Sequence, residues 1–165
     1  MAVISTEKNV EALHFRLVAE FDAGAERVWQ IWADRTQLQR WWGPPTWPAT
    51  FETYEFEEGG RAAYFMTGPD GQKARGWWRI TAVEPVRLFT FVDGFADENG
   101  DPVPDMGETT ATVTFEDLDG RTRMTMTTAF ESAEQFNQMA EMGMEEGIRE
   151  ALGQVDALLA EDAPA

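Results

Sequence analysis

The sequence contains no cysteine and a single histidine, His14. The absence of cysteine excludes disulfides, a thiol nucleophile and zinc sites built on thiolates. One imidazole also falls short of the two or three that a histidine zinc centre needs. The two serines, Ser5 and Ser132, lie outside any nucleophile elbow of the G-x-S-x-G type. We therefore predict no metal site, no cofactor and no nucleophilic catalytic residue.

Basic residues and long apolar runs are also scarce. Thirteen Lys and Arg stand against 30 Asp and Glu, so the formal net charge is −17. A surface with this charge repels nucleic acid and anionic membranes. No apolar run approaches the ~18 residues of a membrane-spanning helix, and the first residues lack the features of a signal peptide. We expect a cytoplasmic protein, monomeric or homodimeric, with neither nucleic acid nor membrane as a partner.

Aromatic and soft apolar side chains are what the sequence has in excess. It carries 7 Trp, 11 Phe, 2 Tyr and 8 Met among 165 residues. A chain of this length is expected to fold as one domain and to bury about 70% of its unfolded surface. The excess is the first positive indication of function, because it favours an apolar molecule as the partner.

Hydrophobic periodicity divides the chain into strands and helices. Residues 1–12 are polar and aperiodic, which predicts a flexible arm. Residues 13–21 alternate as a strand, and two short helices follow until Gly43-Pro44-Pro45, where proline ends the second helix. A run of about six antiparallel strands then occupies residues 49–130.

The C-terminal region has a different period. Ser132 and Gln135 fit a capping box, and apolar residues then recur at helical spacing to about residue 160. This spacing predicts one amphipathic helix of roughly seven turns, followed by an acidic tail at residues 161–165. Strands grouped apart from helices indicate an α+β fold, with residues 13–160 as its single domain.

The predicted helix does not cover the sheet completely. It carries Gly143, Gly147 and Gly153 on one stretch, whereas Phe136 and Met139 are large at its other end. A curved sheet that grips such a helix leaves an apolar cavity between them, which is a common setting for small-molecule sites.

Four segments, taken in order, resemble a known family. They are ERVWQIWADRTQLQRWWGPP at residues 26–45, GGRAAYFMTGPDG at 59–71, RGWWRITAVEPVRL at 75–88 and TRMTMTTAF at 122–130. With the long helix that follows, they resemble the activator-of-heat-shock-protein-ATPase-like family. That family belongs to the START and birch-pollen-allergen superfamily of helix-grip proteins. The resemblance covers residues 13–160.

The resemblance implies a helix-grip fold with two short helices after the first strand. In it, a curved antiparallel sheet of about six to seven strands wraps around the long C-terminal helix. The superfamily includes lipid carriers, polyketide cyclases and hormone receptors, which share a hydrophobic cavity between the sheet and the helix. We therefore expect binding of a small hydrophobic or aromatic ligand. The candidate cavity wall comprises Trp32, Trp42, Phe51, Tyr64, Met66, Trp78, Ile80, Phe89, Phe91, Val113, Met124, Met126, Phe136, Met139, Gly143 and Ile148.

Two alternatives remain open at this stage. An enzyme of the cyclase or hydrolase type could act on an aromatic metabolite in the same cavity, which requires an inward-facing group suited to proton transfer. Its candidates are Tyr54, Tyr64, Asp34 and Glu52. A chaperone-associated interaction module would instead show an exposed apolar patch, expected near residues 42–47.

Overall fold

The computed structural model describes residues 3–161 and forms an antiparallel sheet flanked by helices. The eight strands follow the order β1-β2-β8-β7-β6-β5-β4-β3. The α+β class predicted from the sequence is confirmed, and residues 162–165 of the predicted acidic tail lie outside the described residues. The elements are β1 Val3–Asn9, β2 His14–Phe21, α1 Ala25–Ala33, α2 Arg35–Trp41, β3 Ala49–Tyr54, β4 Arg61–Thr67, β5 Lys73–Glu84, β6 Leu88–Ala96, a 3-10 turn Pro104–Met106, β7 Glu108–Asp117, β8 Thr122–Ala129, α3 Ala133–Glu141, α4 Met144–Leu152 and α5 Val155–Glu161.

The first strand replaces the flexible arm that the sequence predicts. Residues 3–9 pair with β2 along the edge of the sheet. From this strand, the Thr6 hydroxyl donates to a Glu145 carboxylate oxygen of α4 at 2.7 Å, and Lys8 Nζ lies 3.1 Å from the other oxygen. Backbone pairing and polar contacts hold β1 in place. Neither needs apolar alternation, so periodicity does not detect this strand.

The helices after β2 meet at Asp34, which ends α1 and caps α2. Its carboxylate accepts the backbone N–H of Thr36 at 3.0 Å, as expected for an N-cap. Hydrogen bonds from the Gln37 side chain and then from Thr36 hold the pKa of this carboxyl below its usual value. The turn directs Trp32 of α1 and Trp41 of α2 into the same core, where their ring centroids are 4.7 Å apart.

The C-terminal helix consists of three consecutive segments, α3 to α5. The capping box at its start is confirmed, because the Ser132 hydroxyl oxygen accepts the backbone N–H of Gln135 at 3.1 Å. Gly143 separates α3 from α4 with a φ of 83°, a left-handed conformation that interrupts the helix. Gly153 stands at the second interruption. The single continuous helix that the sequence predicts is therefore interrupted at both glycines.

The hairpin between β4 and β5 supports a stability prediction. Gly71 has a φ of 84° in this turn, and no atom lies within 4 Å of where its Cβ would be. A side chain at Gly71 would therefore meet conformational strain but no clash. We expect Gly71→Val to lower the free energy of unfolding by about 1–2 kcal/mol, measured by thermal unfolding.

The matched control for this hairpin is Gly71→Asn. Asparagine tolerates a positive φ better than valine does, so its loss of stability should be clearly smaller. Equal unfolding midpoints for the valine variant and the wild type would contradict the assignment of strain to this position.

Candidate ligand-binding cavity

A cavity of about 490 Å³ lies between the inner face of the sheet and helices α3 and α4. Strands β2, β4, β5, β6, β7 and β8 form its floor, and the segment after α2 forms its rim. Its lining is mostly apolar. The lining residues are Phe15, Trp42, Gly43, Pro44, Trp47, Tyr64, Met66, Ala74, Asp93, Gly94, Phe95, Thr109, Met126, Thr128, Phe130, Met139, Met142, Gly143, Met144, Gly147, Ile148 and Ala151.

The structure brings only part of the predicted wall to this cavity. The predicted residues that line it are Trp42, Tyr64, Met66, Met126, Met139, Gly143 and Ile148. The predicted residues that pack in the buried core instead are Trp32, Phe51, Trp78, Ile80, Phe89, Phe91, Val113, Met124 and Phe136.

The predicted residues divide between core and cavity because α1 covers only one end of the sheet. Trp29 and Trp32 of α1 fill one end of the sheet, with ring centroids 5.8 Å and 5.1 Å from Phe89. The strand residues beneath these rings are buried and form core. At the other end, the sheet faces the break at Gly143 and the small residue Gly147, and a space remains.

Asp93 is the polar residue that sequence reasoning missed. It lies on β6 in the same alternation as Phe89 and Phe91, which points into the protein. Its cross-strand neighbours are Trp78 on β5 and Thr109 on β7. Directly opposed residues in antiparallel strands share a face of the sheet. A carboxyl group is thus placed among aromatic side chains on the floor of the cavity.

The Asp93 carboxyl stands without a partner in residues 3–161. No described side chain hydrogen-bonds or ion-pairs with it, and it is half-buried among the residues that line the cavity. Burial raises the pKa of Asp93 to about 7, because the ionised carboxylate loses solvation there. Near neutral pH the group can therefore hold or release a proton.

The Tyr64 phenol is positioned by a glycine on the neighbouring strand. A Cβ atom at Gly76 would lie 2.5 Å from both Cζ and Oη of Tyr64, so the ring needs a residue without a side chain beneath it. Phe51 stacks on the ring with a centroid distance of 5.0 Å. Burial, reinforced by the negative charge of Asp93, raises the pKa of the Tyr64 hydroxyl. It therefore stays protonated and can donate a hydrogen bond.

Two indole N–H groups lie close to this hydroxyl. Those of Trp42 and Trp78 act against the effect of burial on the pKa of Tyr64, but neither completes a hydrogen bond of normal geometry. Both nitrogen atoms are buried without a partner. Unpaired buried donors are uncommon in folded proteins, and these two lie enclosed beside the Tyr64 hydroxyl.

The other candidates for proton transfer have structural roles. The Tyr54 hydroxyl donates to the backbone oxygen of Trp32, Asp34 caps α2, and exposed Glu52 pairs with Arg75 at 3.0 Å. Of the four candidates, only Tyr64 lines the cavity. The signal for Asp93 was present in the sequence as an acid in register with two phenylalanines.

The rim does not form the exposed apolar patch expected near residues 42–47. Trp42 is buried and Trp47 is half-buried. In the part of the chain that the structure describes, the large apolar side chains that stand exposed are Val10 and Met142. Met142, which is 58% exposed, also lines the cavity at the break between α3 and α4.

The sequence pattern of the family described as "Activator of Hsp90 ATPase homolog 1-like protein" matches residues 22–160. The chain belongs to this family. The fold agrees with this membership. The structure has the helix-grip arrangement of the Hsp90-activator-like family, with the sheet around the C-terminal helical region. Membership and fold suggest, in general terms, a ligand-binding or chaperone-associated module.

Solved structures of similar proteins agree with this assignment. A protein from Arthrobacter aurescens, solved by NMR, is 63% identical and covers 98% of this chain and 94% of its own, with a TM-score of 0.93. A crystal structure from Mycobacterium smegmatis is 45% identical over 95% of this chain and 96% of its own, with a TM-score of 0.89. A Rhodobacter sphaeroides protein, 23% identical over 95% of this chain and 98% of its own, shows the same fold with a TM-score of 0.83.

No protein of curated function matches the chain. Within residues 3–161, no helix is long and apolar enough to cross a membrane. The cavity itself is therefore the main source of evidence on function.

Proposed function

We propose that this protein binds a small hydrophobic or aromatic molecule in the cavity between the sheet and helices α3 and α4. The observation that carries the proposal is the cavity itself, about 490 Å³ in volume and lined mostly by apolar side chains. Small-molecule sites in proteins have volumes of about 300–1,000 Å³ and a similar lining. The net charge of −17 repels nucleic acid and anionic membranes, which favours a small molecule as the partner. We also propose that the protein acts in the cytoplasm.

The composition of the walls supports the same proposal. Met66 and Met126 approach from the sheet, and Met139 and Met144 approach from the helices. Unbranched thioether side chains adapt to ligands of different shape. Aromatic rings at the rim add flat apolar surface that suits a ring system.

A chaperone-associated role finds less support in the described residues. The segment expected to carry an exposed apolar patch places Trp42 in the interior, against the ring of Trp78 at 5.0 Å. Only the family relationship supports a chaperone-associated role.

Filling the cavity from Gly147 tests the proposed function. No atom lies within 4 Å of where a Cβ at Gly147 would be, and the residue lines the cavity. We expect Gly147→Leu to weaken binding of the neutral fluorescent probe N-phenyl-1-naphthylamine by at least about tenfold. Its thermal stability should hold or rise, because leucine favours a helix more than glycine does.

Gly147→Ala is the matched control. It gives the same gain in helix propensity but leaves most of the space open, so the probe should still bind. The proposal fails if the wild type shows no saturable binding of the probe, or if the leucine variant binds it as tightly as the alanine variant does.

A further inference from the structure

We propose that the ligand of this cavity is an organic cation, an aromatic or alkyl amine whose ammonium group pairs with the Asp93 carboxylate. This inference rests on the proposed function, because it names the class of molecule that the same cavity takes.

The described residues place no positive charge beside Asp93 in the cavity. Asp93 lies on the cavity floor, and none of the lining residues is Lys, Arg or His. A buried carboxylate is costly unless it is paired or hydrogen-bonded. The described residues supply neither kind of partner. A cation carried by the ligand would complete the pair.

Aromatic side chains share the cavity with the carboxyl group. Trp42, Trp47, Tyr64 and Phe95 all line the same space. The faces of aromatic rings attract cations, most strongly where water is excluded. Rings grouped with a carboxylate thus favour an ammonium group over a neutral polar group.

The electrostatic field of the whole chain also favours a cation. A net charge of −17 raises the local concentration of cations and repels anions. An anionic ligand would meet both this field and Asp93, with no basic group in the cavity to offset them. A neutral ligand would leave the ionised carboxylate without a counter-charge.

The pairing makes binding depend on pH through one group. The elements packed around Asp93 contribute Trp78 from β5 and Thr109 from β7, while helices α3 and α4 present neutral side chains to the cavity. Tyr64 from β4 is the other titratable lining residue, and burial raises its pKa. Because burial raises the pKa of Asp93 to about 7, protons compete with an ammonium group for the carboxylate below neutral pH.

Three compounds that share a naphthyl ring test the inference by isothermal titration calorimetry. They are 1-naphthylmethylamine, which is a cation at pH 8, 1-naphthalenemethanol, which is neutral, and 1-naphthoic acid, which is an anion. We expect the amine to bind at least about tenfold more tightly than the alcohol, and the acid to bind most weakly.

The variant Asp93→Asn keeps the shape of the side chain and removes its charge. It should bring the affinity for the amine down to that for the alcohol, while the alcohol binds about as before. Glu150→Gln removes the same charge from an exposed position on α4 outside the cavity lining, and it should keep the preference for the amine.

The pH dependence of the wild type gives a second measurement that needs no variant. Between pH 8 and pH 5.5, the affinity for the amine should fall towards that for the alcohol, by at most about 30-fold, as protonation of Asp93 removes its partner. The affinity for the alcohol should change much less.

The outcomes separate this inference from the proposed function. If the alcohol binds as tightly as the amine, or if the preference for the amine survives in Asp93→Asn, the inference is overturned and the proposed function stands. If neither the naphthyl compounds nor N-phenyl-1-naphthylamine binds, both are overturned. The pairing is established if the amine binds more tightly than the alcohol and the acid, and if this preference is lost both in Asp93→Asn and at low pH.

Discussion

Replacing Trp32 with alanine is expected to lower the free energy of unfolding by about 3–5 kcal/mol. Trp32 is fully buried, and its ring centroid lies 4.7 Å from that of Trp41 and 5.1 Å from that of Phe89. Its indole N–H also donates to the sulfur of Met124 at 3.2 Å. Truncation would remove these contacts and leave a cavity among side chains that are fully buried. Chemical denaturation followed by circular dichroism measures the loss.

Trp47→Ala is the comparison for this variant. Trp47 is half-buried at the rim, and it lines the cavity rather than the core. Its truncation should cost clearly less stability and should weaken ligand binding instead. A similar loss of stability in both variants would show that the end of the sheet beneath α1 is no more tightly packed than the rim.

The second large effect concerns Asp93 and the pH dependence of stability. Burial raises the pKa of this carboxyl from 3.8 to about 7 in the folded protein. The folded state therefore binds more protons than the unfolded state between these values, so the Asp93 contribution to stability falls as the pH rises. Asp93→Asn removes that loss. We expect it to match the wild type near pH 4 and to be more stable by about 3–4 kcal/mol above pH 8.

The measurement is the difference in unfolding free energy between variant and wild type from pH 4 to pH 9. Taking the difference cancels the contributions of the other acids, including Asp34 and Glu145, whose pKa values are lowered by their hydrogen bonds. For Glu150→Gln, the difference in unfolding free energy from the wild type should stay constant over the same pH range. A flat difference for Asp93→Asn as well would show that its carboxyl is solvated and ionised throughout.

The two Asp93 experiments bear on one property. The Asp93 carboxyl lowers stability when it ionises, and it has no partner in the described residues. Such a group has a function if a ligand supplies the partner. Proteins often hold such groups at functional sites, with shifted pKa values as the mark. If Asp93→Asn stabilises the protein and also loses affinity for the amine, Asp93 lowers stability in the free protein and supports binding in the complex.

Much of the fold could be predicted from the sequence because its signals are local. The capping box at Ser132 and Gln135, the turn at Gly71, and the proline stop after Trp42 each depend on a few neighbouring residues. The four family segments then supplied the order of the elements. The prediction was weaker where local pattern is weak, as for β1, whose polar side chains show no alternation although the strand pairs along the sheet edge.

The candidate site was harder to predict for the same reason. Alternation on the strands identified residues that face inward, and Phe89, Phe91 and Trp78 do so. The alternation did not distinguish the inward-facing residues that α1 covers from the inward-facing residues that border the cavity. Asp93 shares the alternation of the two phenylalanines, but the inward register of β6 depends on its pairing with β5 and β7.

The sequence by itself thus determined the fold class, the family, the absence of thiol chemistry and the strong negative charge, because these follow from composition and short-range pattern. Only the tertiary structure decided where the space lies and which polar group enters it. A cavity is what remains when distant segments have packed, here at Gly143 and Gly147 of the helical region above Tyr64 and Asp93 of the sheet. The pKa of Asp93 likewise depends on the low-dielectric surroundings that those segments create together.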